Sequence, residues 1–160
     1  MDKATDYGVR FLAVLLAIGG MVGVGLSFYL GYLSLQQHWV FLFVVGFFVV
    51  VFAWTLITGF RLWRGDERGV KWAKILFAAQ IPVLTVPGLN YEYYAGLSMK
   101  LLAGEVKEHF ALGLGASGTL YLDTRITDWI YGVNIFAVIA LTYLLYRPRS
   151  GASLRGGAAV

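Results

Sequence analysis

His109 and Asp123 bracket the segment HFALGLGASGTLYLD and are the closest approach to a chemical pair in the chain. Phe110, Leu112, Leu114, Leu120 and Leu122 alternate there with His109, Ala111, Gly113, Thr119, Tyr121 and Asp123, which is the period of a β-strand. The alternation is interrupted at Gly115–Ser117. A three-residue loop at that point sets Leu112 opposite Leu120, Phe110 opposite Leu122 and His109 opposite Asp123, because facing residues of a hairpin share one side of the sheet. A carboxylate beside the imidazole favours its charged form and makes the outer-cap pair a pH-dependent lock. The preceding GLSMKLL is read as a third strand turning at Ala103–Glu105, against a rival in which residues 97–110 form a surface helix.

Other chemistry is sparsely provided for. There is no cysteine, so disulfide relays, thiolate metal sites and cysteine nucleophiles are excluded. The second histidine, His38, lies in the middle of the first uncharged run, between two predicted spans, and falls with His109 on the outer side. Membrane haem proteins need histidines facing one another inside helices, and the glycine-rich pieces lack the strand, helix and lysine of a phosphate loop. Sequence reading therefore names no catalytic residue, metal ligand or cofactor, and expects no enzyme. Glu92 among Tyr91, Tyr93 and Tyr94 reads as an interfacial aromatic belt.

The polar residues inside the apolar runs are Thr55, Thr58, Gln80, Thr85, Asn134 and Thr142. Counting about 1.5 Å per helical residue sets Gln80 at the depth of Thr55, and Thr85 at that of Asn134. Two interhelical hydrogen bonds are expected, each contributing about 0.6 kcal/mol. The alternative use of these residues is to line a polar path.

The elements that must position all of this read as membrane. Hydrophobic residues make up 59% of the chain and charged residues 14%, with a mean hydropathy of +0.70; a soluble domain carries about 25% charged residues. From Phe11 to Phe60 there is no charged residue, and residues 75–91 and 129–146 are likewise uncharged. A span takes roughly 17–25 apolar residues. The predicted fold is all-α: a four-transmembrane-helix bundle with spans at 11–33, 40–62, 70–88 and 129–146. An extracytoplasmic β-type cap covers 89–128, and a disordered tail covers 148–160. The first run is longer than a signal peptide's core and has no A-x-A cleavage site, so it is read as a retained helix.

Gly19, Gly23, Ser27 and Gly31 recur every fourth residue on helix 1. Small faces of this kind let helix backbones approach in lipid, so this face is the expected packing and interaction surface. Helix 2 carries aromatics on every side, suited to lipid contact and to filling the small face. With the N-terminus inside, ten of the thirteen Lys and Arg lie on the inner side, leaving Lys100, Lys107 and Arg125 outside. That asymmetry places both termini in the cytoplasm and accounts for the net charge of +4 without nucleic acid. The expectation is a non-catalytic accessory or scaffold subunit in the lipid bilayer of a bacterial inner membrane, partnered by other membrane subunits or by itself. A small homo-oligomeric channel or transporter is the alternative.

Overall fold

The computed structural model describes residues 3–34, 39–105, 109–121 and 128–146. Two long helices come first: α1 (Lys3–Ser34) and α2 (Trp39–Trp63). Their apolar stretches, Tyr7–Leu33 with 27 residues and Leu42–Trp63 with 22, are long enough to cross a membrane. A turn at Gly65 leads into α3 (Glu67–Gln80), whose first turn is capped by Asp66 accepting the Arg68 amide at 2.9 Å.

The expected third and fourth spans are not continuous helices. Residues 70–88 leave the helix at Gln80, and Pro82–Val86 form strand β1. Residues 129–146 divide into strand β4 (Ile130–Asn134) and helix α4 (Ile135–Tyr146). Helices of 14 and 12 residues measure roughly 21 and 18 Å at 1.5 Å per residue, short of the ≈ 30 Å hydrocarbon layer. Among the described residues the architecture is thus four helices with a four-stranded antiparallel sheet, and the four-helix membrane bundle is overturned. Proline without an amide donor suits the first position of a strand, which is where Pro82 stands. Asn134 starts α4 as its N-cap, its Oδ1 accepting the Ala137 amide at 3.4 Å.

The remaining strands are β2 (Leu89–Gly104) and β3 (Phe110–Tyr121). Strand order is β1-β4-β2-β3, with β1 also pairing the start of β2. β1 is antiparallel to β2 at Leu84–Tyr91 and to β4 at Leu84–Tyr131, while β4 is antiparallel to β2 at Lys100–Asn134. Three straight strands cannot all be mutually antiparallel, so β2 must change direction between Tyr91 and Lys100. The turning point is Gly96, with φ +98°, and its partner across the ribbon is Gly115, with φ +125°. Both lie in backbone space that side chains rarely enter.

β3 is therefore one strand, paired along its length with β2 from Asn90–Tyr121 to Leu101–Phe110. The expected three-residue loop at Gly115–Ser117 does not exist: the break in alternation there is the bend. The GLSMKLL stretch is strand, as part of β2, and the rival surface helix over 97–110 is not formed; the strand continues through Gly104, past the expected turn at Ala103–Glu105.

Two clusters hold the layers together. At the end carrying both described chain ends, all four helices contribute: Leu12 and Leu16 of α1, Leu62 of α2, Phe77 of α3, and Ala140 and Leu144 of α4. Farther along α1 and α2, the sheet replaces the short helices, and Phe48, Phe52 and Leu76 pack against Tyr93 and Ala95 of β2.

Candidate functional site

The bent β2–β3 ribbon lies directly on α1. A Cβ added to Gly19 would overlap Gly96 N and the Ala95 backbone, so helix and strand meet main chain to main chain. One at Gly23 would overlap the Phe52 ring of α2, and one at Gly31 would lie 3.1 Å from Val45. Ser27 is buried. The small-residue face is thus met within the chain by α2 and by a strand, while Gly23 and Ser27 also line a groove.

The interior polar residues do not pair as depth predicted. Thr55 shares a 2.6 Å hydrogen bond with the Tyr93 hydroxyl and donates to Val51 O at 2.8 Å, not to Gln80. Thr85 pairs with Asn90 and Ile130 in the sheet. Asn134 joins three elements: its amide donates to Ile81 O at 2.9 Å, and its Oδ1 accepts the Met99 amide at 3.1 Å besides capping α4. Gln80, Ser98 and the Asn134 Nδ2 are buried without a hydrogen-bond partner among the described residues. Replacing Tyr93 by Phe should cost about 1 kcal/mol, the usual net value of one buried bond. Thermal unfolding in detergent measures this, and a Thr55→Val, Tyr93→Phe double-mutant cycle isolates the pair.

The bend also creates an ion pair. Glu92 and Lys100 are eight residues apart on one strand, roughly 26 Å if it were straight. Here the Lys100 ammonium bonds Glu92 Oε1 and lies 4.7 Å from the Tyr94 ring centroid. Both side chains are largely covered, and their mutual compensation locks the concave side of the ribbon. His109 sits beside the Leu102 carbonyl, 3.2 Å from its Nδ1, at the turn between β2 and β3. The hairpin expected to bring it to Asp123 is not formed. Asp123, His38 and the 148–160 tail fall outside the described residues.

Among the described residues a groove and an apolar sheet face stand open. A groove of about 680 Å³ runs between α1, α2 and the upper ribbon, walled by Leu26, Leu30, Val44 and Phe48, with Ser27 and Thr119 among its few polar groups. On the other arm of the ribbon, Leu101, Phe110, Leu112, Leu114, Tyr131 and Val133 form an exposed apolar sheet face; Leu112 is 68% and Leu114 77% exposed. Among the described residues no three His, Asp or Glu gather as metal ligands.

No known protein family, curated protein or solved structure matches the chain. The site rests on geometry alone. Sequence reading singled out Gly19, Gly23 and Asn134, which do organise the centre of the molecule. It missed Gly96, Ser98 and the Glu92–Lys100 pair. Gly96 carried a legible signal, a glycine inside an alternating strand, whereas the ion pair depends on a bend with no local signature.

Proposed function

We propose that the protein is a non-catalytic accessory or scaffold subunit of a membrane complex, with α1 and α2 crossing the bilayer. The observation that carries this reading is the apolar sheet face around Leu112 and Leu114. Contiguous apolar surfaces of this kind mark sites of contact with another protein or with the membrane, and the Glu92–Lys100 pair ties together the two arms of the ribbon that carries this one. Gly8 lies against Tyr143 of α4, so the chain enters α1 and leaves α4 at the same end. Arg10, Arg61, Arg64, Arg68, Lys71 and Lys74 cluster by sequence toward that end, which supports a cytoplasmic location for both termini. The proposed setting is a bacterial inner membrane.

Of the residues suited to a polar path, Gln80 and Asn134 are enclosed at 0% and 1% exposure and Thr85 is half-buried in strand β1, which favours the subunit reading over the channel. Leu112→Ala with Leu114→Ala tests the subunit reading. Truncating exposed side chains should leave stability within about 0.5 kcal/mol, whereas loss of central interface contacts should reduce co-purification of the partner by about tenfold. Undiminished co-purification would move the interface elsewhere.

A further inference from the structure

We propose that the exposed side of α3 holds an anionic phospholipid, its phosphodiester on Arg64, Arg68, Lys71 and Lys74 and an acyl chain along Ile75 and Ala78. The inference goes beyond the subunit reading and rests only on α1 and α2 crossing the bilayer.

α3 folds back along α2 into the span. A Cβ added to Gly69 would overlap the backbone of Arg61 and Leu62, at the end of the Leu42–Trp63 apolar stretch. Farther on, Trp72 meets Trp54 edge-on with ring centroids 6.1 Å apart, and Leu76 packs in one cluster with Phe52. Lys74 therefore starts roughly 7 Å farther along α3 than Gly69, at 1.5 Å per residue. Orientation in the membrane asks for cations near the surface, and Arg64 at the turn meets that need. An ammonium that starts inside the span needs an anionic partner or a route back to the surface.

The chain supplies little countercharge. Among the described side chains, Asp66 pairs with Arg61 at 3.6 Å and Glu92 with Lys100. Glu105 and Asp128 lie at the far end of the sheet, where Glu105 N donates to Trp129 O. Glu67 remains as one exposed carboxylate beside Arg64, Arg68, Lys71 and Lys74. None of these four cations has an ion-pair partner among the described residues.

Helix geometry gathers the cations. Gly69, Ala73, Leu76, Phe77 and Gln80 form the buried side of α3. Arg68, Lys71 and Lys74 follow one another at steps of three on the opposite side, the first two exposed and Lys74 half-buried. Every Cα–Cβ bond of a helix tilts toward its N-terminus, which in α3 is the surface end. The lysine stems thus carry both ammonium groups back toward Arg64 and Arg68. Deeper on the same side come Ile75, 54% exposed, and Ala78, also exposed. A charged region that continues into an apolar one matches a phospholipid from head to tail, whereas a free phosphate or an acidic peptide matches only the upper part. Each cation near an anionic membrane surface strengthens attachment about fivefold.

The test is titration of the purified full chain, in neutral detergent, with phosphatidylglycerol or phosphatidylcholine of equal chain length, bound lipid being counted by native mass spectrometry. Phosphatidylglycerol should bind at least about tenfold more tightly, and Arg68→Gln, Lys71→Gln and Lys74→Gln together should remove that preference. Removing three of the ten inner cations leaves seven against three outside, so the orientation is kept. Arg68→Lys with Lys71→Arg and Lys74→Arg retains the charge and should retain the preference. Equal affinity for the two lipids, or a preference that survives the glutamine substitutions, would overturn the proposal. So would displacement of phosphatidylglycerol by an equal concentration of inorganic phosphate, since the site would then read the phosphate without the tail. Release of the chain from its membrane by alkaline carbonate would instead overturn the bilayer-crossing reading, and the proposal with it.

Discussion

Gly19→Val is expected to prevent the sheet from seating on α1, and it is the most damaging single substitution the packing implies. The new side chain would enter space held by the Ala95 and Gly96 backbone. Main chain cannot swing aside as a long side chain does, and Gly96 is already fixed by φ +98° and by its pairing with Gly115. Overpacking commonly costs about 1–3 kcal/mol, occasionally more, and the upper end applies where no rotamer relieves the clash. Thermal unfolding in detergent should show a large loss, with Tyr93 and Ala95 exposed. Gly25→Ala is the matched control: nothing lies within 4 Å of its added Cβ. There the gain in helix propensity, about 0.5–1 kcal/mol, should leave the protein equal or better. A helix weakened equally at both positions would show that α1 and β2 do not meet at Gly19.

The second large effect sets two buried amides against each other. Asn134→Leu removes the acceptor of the Met99 amide and the cap of α4. An orphaned buried donor costs about 1–3 kcal/mol and a lost asparagine cap about 0.5–2 kcal/mol, so a loss toward the upper end of either range is expected. Gln80→Met should go the other way. Both polar atoms of Gln80 are buried without a hydrogen-bond partner among the described residues, so an apolar chain of similar length removes a desolvation penalty and should raise stability by about 1 kcal/mol. Unfolding midpoints of the two variants in one detergent decide it. Equal losses would mean that Gln80 is bonded as firmly as Asn134.

These opposite signs also show where sequence reading works and where it stops. Both ends of α2 and the C-terminal end of α1 were legible to within a residue, because long uncharged runs are local properties, whereas α1 begins at Lys3 rather than Phe11, since charges at a helix start do not stop the helix. The later runs were misread because buried strands are as continuously apolar as a span, so hydropathy alone cannot separate Pro82–Val86 or Ile130–Asn134 from helix. Pro82 and Asn134 held the correction: one suits a strand's first residue and the other a helix cap. The alternation over Phe110–Tyr121 belongs to a strand, but its interruption admitted two explanations, a loop or a bend. Only the partner strand distinguishes them, since Gly115 bends where Gly96 bends. The depth matching of Gln80 with Thr55 failed for a related reason: equal depth along helices says nothing of which element lies between, and Tyr93 of β2 reaches Thr55 first.

The central claim is that this chain is one subunit of a larger membrane assembly. Native mass measurement of the unmodified protein, extracted gently from its own membrane, tests it most directly. A stoichiometric complex with a different membrane protein is the predicted result. A discrete assembly of this chain alone, conducting ions or solutes when placed in liposomes, would contradict it.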